Sequence, residues 1–154
     1  MTVSQRVIIG VGNEFRQDDG AGIAVARRLR QAFIPGAEIV ESSGEGVELL
    51  QILCEWQNVA IVDAVSSGQP AGTVHHLDAA RETIPHGLWR SSSHLFGVAE
   101  AIEMARVFGR LPPTCRVYGI EGRSFQYGTA LSDEVAAAID QVVDELSAPV
   151  KMDG

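Results

Sequence analysis

The residues with chemistry to offer begin at a pair of adjacent aspartates. Asp18 and Asp19 lie in VIIGVGNEFRQDDGAG, residues 7 to 22, where a hydrophobic run and Gly10-Val11-Gly12 lead through a polar segment to Gly20-Ala21-Gly22. A strand, a glycine pair and a helix would make half of a dinucleotide-binding loop. Phe15 stands where the third glycine belongs, however, and no GxxxxGK follows. Charge argues against that loop more strongly, because a pyrophosphate sits on the first amides of the helix, where this chain has two carboxylates. One aspartate there is ordinary helix capping. The second is left for a site at the C-terminal edge of a sheet, where open α/β folds keep theirs.

Two further residues can join it. Asp63 follows the apolar run Val59-Ala60-Ile61-Val62 and is expected to emerge at the same sheet edge, near the first strand if the two are neighbours. Its alternative use is to cap the turn Ala64-Val65-Ser66-Ser67-Gly68. His94 follows Ser91 to Ser93 and is expected to open a helix capped by Ser93. The positive end of that helix would disfavour imidazolium and leave a lone pair for a metal. His75 and His76, adjacent on a strand, face opposite sides, and His86 lies in a loop. Two carboxylates and a neutral imidazole from three element ends make an open site for a borderline divalent ion. That ion could be resident, with an activated water, or already bound to another molecule. Serine chemistry is poorly supported, since neither Ser42-Ser43 nor Ser91 to Ser93 lies in a GxSxG elbow.

Strand and helix patterns alternate around these residues. Val7 to Val11 reads as a strand, followed by a helix from Asp19 with Ala21, Val25, Leu29 and Ala32 on its wider apolar side, stopped by Pro35-Gly36. Ala37 to Val40 is a strand, Glu41 to Gly44 a turn, and Val47 to Trp56 a helix with Leu49, Leu50 and Leu53 inward. Val59 to Val62 has the continuous apolar character of a strand covered on both faces. Gly72 to Leu77 is an edge strand, and a helix from His94 to Phe108 turns Leu95, Val98, Ala99 and Ile102 inward. Cys115 to Ile120 and a Ser132-capped helix through Leu146 complete a three-layer α/β/α sandwich around a mixed, mostly parallel sheet.

The 154 residues are 45% hydrophobic and suit a single domain over 1–154. Twelve basic against twenty acidic residues give a net charge of -8, which opposes nucleic acid and anionic membranes as partners. The first residues offer one arginine and too short an apolar run for a signal segment, and no stretch is long enough to span a membrane, so a soluble cytoplasmic protein is expected. Cys54 and Cys115 form no CxxC and read as buried free thiols.

Taken in order, Gly10-Val11-Gly12-Asn13, Asp18-Asp19-Gly20-Ala21-Gly22, Val62-Asp63-Ala64 and Ser93-His94 resemble the hydrogenase maturation protease family, from about Val7 to Leu146. Its members are endopeptidases that trim the C-terminus of the nickel-iron hydrogenase large subunit. The resemblance implies a metal-contacting trio of Asp19, Asp63 and His94. It also implies that the ion is nickel carried by the substrate rather than a resident cofactor. After the second strand the family often has an Asp followed by glycines, whereas this chain reads Glu41-Ser42-Ser43-Gly44. Glu41 keeps an acid there, one carbon longer, and joins Asp19 and Asp63 as a catalytic candidate. The implied reaction is attack of water on a peptide bond, activated by the ion or by a carboxylate. The glycines of the opening stretch then read as backbone that lets a protein substrate approach. Two other functions fit the same residues: a nickel-checking chaperone that docks the subunit without cutting, and a metal-dependent aminopeptidase or amidase with its own ion.

Overall fold

The computed structural model describes residues 5–85, 87–89 and 94–148. Its elements are β1 (Arg6–Val11), a 3-10 turn (Gln17–Gly20), α1 (Ala21–Ala32), β2 (Ala37–Ser42), α2 (Gly46–Glu55), β3 (Asn58–Val65), β4 (Val74–Asp78), α3 (Val98–Val107), β5 (Thr114–Glu121) and α4 (Asp133–Ser147). The described strands form a five-stranded sheet in the order β2-β1-β3-β5-β4. All neighbours are parallel except β4 and β5, so β4 is the antiparallel edge strand.

Side-chain alternation along the strands feeds two cores. Val59, Ile61 and Val65 of β3 pack with Leu49 and Leu53 of α2 and with Val98, Ala101, Ile102 and Ala105 of α3. Ala60, Val62 and Ala64 face the other way, onto Ala21, Val25 and Leu29 of α1 and Val135, Ile139, Val142 and Leu146 of α4. Leu49 and Leu53 are fully buried, and each contributes on the order of 2 kcal/mol by that burial. The result is the expected mixed, mostly parallel α/β/α sandwich.

The chain leaves β1 through α1 toward β2 and returns through α2 across β1 to β3. The connections therefore diverge between β1 and β3 and leave a crevice at their C-terminal ends. Gly10 and Gly22 of the opening stretch serve this packing. A Cβ on Gly10 would come 2.2 Å from the Gly22 carbonyl oxygen, and one on Gly22 would come 2.3 Å from that of Val62. Both glycines thus let α1 lie directly on β1 and β3.

Several element bounds differ from expectation. The DD pair falls in the 3-10 turn, with α1 starting only at Ala21, and Ala32 is exposed at its end. Glu41 and Ser42 belong to β2 rather than to a turn, and β3 continues past Asp63 to Val65 because β5 keeps pairing with it there. The largest difference is at α3, which starts at Val98, so His94 precedes the helix in a loop and Leu95 is fully exposed. A helix through His94 would need the Phe96 carbonyl for its own ladder. That carbonyl instead accepts the N–H of Gly46 at 2.9 Å, and the Phe96 ring lies where a Cβ on Gly46 would stand. Glu100 then takes the N–H of Gly97 at 3.1 Å and closes the helix start. Ser91 to Ser93 and His86 lie outside the described residues. Leu50 is half-buried; of the free cysteines Cys115 is buried and Cys54 only partly so.

Candidate active site

Asp19, Asp63 and His94 line one cavity of about 30 Å³, at the C-terminal ends of β1 and β3, together with Val11, Gly12, Arg16, Ser43, Gly44, Ala64, Trp89 and Val98. That volume has room for about one or two waters. Each acid arrives by a different device. Asp63 is the first residue of β3 beyond its pairing with β1, and its place in the alternation turns it to the α2/α3 side, where Val65 also points. Asp19 is fixed by the turn after β1: the Asn13 N–H meets its main-chain oxygen at 3.2 Å and its Oδ2 at 3.1 Å. Gly12 makes the turn possible, with a φ of +148° and a missing Cβ that would stand 1.9 Å from the Asp19 carbonyl oxygen. His94 rests over Gly44, its Nε2 2.9 Å from the Ser43 carbonyl oxygen. A carbonyl only accepts, so Nε2 carries the proton in this arrangement and a neutral ring keeps its lone pair on Nδ1.

The acids sit in an unfavourable field. Asp63 is buried, and burial, reinforced by the charge of Asp19, pushes its carboxyl well above the usual range. Against these act the Trp89 indole N–H, donated to Oδ2 at 2.6 Å, and the backbone N–H of Ala64. Burial also raises Asp19, partly offset by Arg16, whose Nη1 is 4.0 Å from Oδ2, by the Asn13 N–H and by His94. Two acids raised in this way, Asp63 buried and Asp19 partly so, favour the arrival of positive charge. Among the described residues, no group of three or more His, Cys, Asp or Glu side chains is drawn together closely enough to hold an ion by itself.

Glu41, an expected participant, lies elsewhere, and so does Asp18. Glu41 shares the strand parity of Ile39 and faces α1, on the opposite side of the sheet from Asp63. There Arg30 holds it at 2.6 Å and Arg27 at 3.2 Å, which pulls its carboxyl below the usual range. Asp18 is buried away from the cavity. Its carboxylate accepts the N–H of Arg123, Ser124 and Ser132 at 2.7, 3.2 and 2.8 Å and the Ser132 hydroxyl at 2.9 Å. Ser132 is accordingly the N-cap residue of α4 by position, with its hydroxyl spent on Asp18. Arg16 and Trp89 were not foreseen as site residues: Arg16 has the weak signal of lying three residues before Asp19, and Trp89 has none.

An α/β/α sandwich with an acidic cavity at the switch point of its sheet defines a class of open α/β proteins with a site at the C-terminal sheet edge rather than a particular protein. The comparison with known proteins narrows it. The family described as hydrogenase maturation protease matches residues 23–148, and the chain belongs to that family. Among curated relatives, the hydrogenase 2 maturation protease of Escherichia coli K12 is 26% identical over 152 residues, covering 96% of this chain and 92% of that one. The hydrogenase expression/formation protein HoxM of Cupriavidus necator is 26% identical over 144 residues, covering 90% of this chain and 70% of the other. Among solved structures, an endopeptidase from Escherichia coli superposes with a TM-score of 0.77 at 25% identity, covering 92% of this chain and 89% of that one. The protein is thus a proteolytic enzyme, an endopeptidase of hydrogenase maturation. No helix among the described residues is long and apolar enough to cross a membrane.

Proposed function

We propose that this endopeptidase acts in the cytoplasm to remove the C-terminal extension of a nickel-iron hydrogenase large subunit after nickel insertion, and that Asp19, Asp63 and His94 engage the nickel where it sits in the substrate. The observation that carries the reading is the convergence of these three side chains, from three separate segments, on one cavity at the β1/β3 switch point. An ion that arrives with ligands of its own needs only a few donors from the protease. The open arrangement of the trio suits that better than a closed resident site.

On docking, the substrate's nickel adds positive charge beside Asp19 and Asp63, and the extension is held across the sheet edge. A water then attacks the scissile carbonyl carbon. Asp63, whose raised carboxyl gives up its proton as the nickel's charge arrives, then acts as a carboxylate that takes the water's proton and returns it to the leaving amine. Glu41, held by Arg27 and Arg30 on the other face, is given no part in these steps.

The test is co-expression with the cognate large subunit, with and without nickel, followed by mass measurement of its C-terminus. Trimming only in the presence of nickel, and lost in His94→Ala, is expected. Equal trimming without nickel would remove the gating role, and full activity of His94→Ala would remove His94 from it. A stably bound but uncut subunit would favour the chaperone reading.

A further inference from the structure

Beside the site, the molecule displays aromatic side chains on an unusually firm mount. Phe15 is 61% exposed and Tyr127 93% exposed, in two segments far apart in sequence. Their backbones are bonded together. The Gly128 N–H donates to the Phe15 carbonyl at 2.9 Å, the Gln17 N–H donates to the Gly128 carbonyl at 2.8 Å, and Arg16 and Gly128 form a β-bridge. Asp18 fastens the same two segments through its four accepted hydrogen bonds, and the hydroxyl of Ser124 is bonded to the Gln17 side chain. Phe125, two residues before Tyr127, packs against the α1/α4-side core. Two loops needed only to connect β1 to α1 and β5 to α4 have no use for so many constraints or for an aromatic ring in water on each.

From these observations we infer that Phe15 and Tyr127, flanking Arg16, form the shelf on which the folded body of the large subunit docks while its C-terminal segment occupies the acidic cavity. This rests on the proposed function above. Continuity with the site identifies the occupant: Arg16 lines the acidic cavity and also a hollow of about 540 Å³ bounded by Phe125, Gln126 and Tyr127. Anything seated in the cavity that extends past Arg16 meets Tyr127 and Phe125, with Phe15 next to Arg16 in the chain. Rigidly presented Phe, Tyr and Arg side chains are the composition of interface hot spots, and a preformed mount avoids the entropy cost of ordering a loop on binding. Exposed aromatics elsewhere do not share this setting. Phe33 and Phe108 terminate α1 and α3, and those helices end at the opposite, N-terminal edge of the sheet.

The experiment uses the nickel-loaded, unprocessed large subunit as substrate for the full chain, for Phe15→Ser/Tyr127→Ser, and for Phe33→Ser/Phe108→Ser as control. The shelf variant is expected to raise KM about tenfold or more while kcat stays within about twofold, as loss of a docking hot spot without loss of chemistry requires. The control should keep the wild-type KM, and Tyr127→Phe should keep most of the affinity. Binding is measured in parallel in an Asp63→Asn background, where the shelf variant should raise Kd by a similar factor. An unchanged KM and Kd would overturn the proposal. So would a wild-type chain that self-associates through this surface, seen as a dimer in sedimentation that the shelf variant abolishes. If the wild type binds the subunit through the shelf without cutting it, docking stands and the endopeptidase reading falls; if it neither binds nor cuts, both fall.

Discussion

The C-terminal edge of the sheet carries two pairs of acids with opposite surroundings. Asp18 and Glu121 are each 1% exposed, and both are enclosed by donors. Asp18 accepts four hydrogen bonds, while Glu121 accepts the Ser67 N–H at 3.1 and 3.2 Å and the Ser67 hydroxyl, with His75 Nε2 3.0 Å from its Oε1. Asp63 and Asp19 are poorer in donors and line one cavity, where the charge of Asp19 adds to the burial that raises Asp63. A buried carboxylate supplied with its own donors ties segments together. One left short of them, beside a like charge, is prepared to receive a cation or a proton. Asp18 and Asp19, adjacent in the chain, fall on opposite sides of this division.

The sharpest way to break the contrast is Asp63→Asn. If Asp63 handles the proton of the attacking water, trimming of the large subunit should fall by about 10²-fold to 10⁴-fold while the protein stays folded. Retained activity in a mass assay of the substrate C-terminus would place the chemistry elsewhere. The converse variant, Asp18→Ala, should cost about 3 kcal/mol of stability, because it strands three backbone N–H groups. Urea unfolding reads that loss, and a change below about 1 kcal/mol would deny Asp18 its fastening role.

The contrast also has a pH signature. A carboxyl raised in the folded state is most compatible with folding below its unfolded value. It therefore withdraws stability as pH rises from the ordinary carboxylate range through its own higher value. Wild-type stability, corrected for the rest of the chain by comparison with Asp63→Asn, should accordingly decline with rising pH in that window. Parallel pH profiles for the two proteins would mean that Asp63 is not raised. The smallest effect is expected at Glu41→Gln. Its partners are solvent-accessible arginines, so stability should drop by under about 1 kcal/mol, and trimming should stay within about twofold. A large loss of activity there would return Glu41 to the catalytic set.

Much of this arrangement was legible in the chain. The alternation of β-branched runs with helical periodicity gave the layered sheet, since burial on both faces demands continuous apolar strands and the helices must cover them. The apolar run before Asp63 placed it near the C-terminal edge of an inner strand. His75 and His76 do point to different partners, Glu121 and Glu145, as adjacent residues on a strand must. His94 was harder. Its place in a loop depends on the Gly46 N–H claiming the Phe96 carbonyl across a separation of fifty residues, which no local pattern contains. The position of Glu41 was hidden for a related reason: once β2 extends to Ser42, strand parity assigns it to the α1 face.

By itself the sequence determined the α/β class, the family, and which acids and histidine could meet. Those follow from local periodicity and from residue types in order along the chain. Only the tertiary structure decided what encloses Asp18, the other acid of the DD pair: N–H groups of Arg123, Ser124 and Ser132 and the Ser132 hydroxyl. It also decided that Trp89 supplies a hydrogen bond to Asp63, and that the Phe15 and Gly128 backbones are bonded together beside Arg16. Those outcomes depend on donors and backbones brought together from distant segments, and the resulting burial sets the cost of each charge.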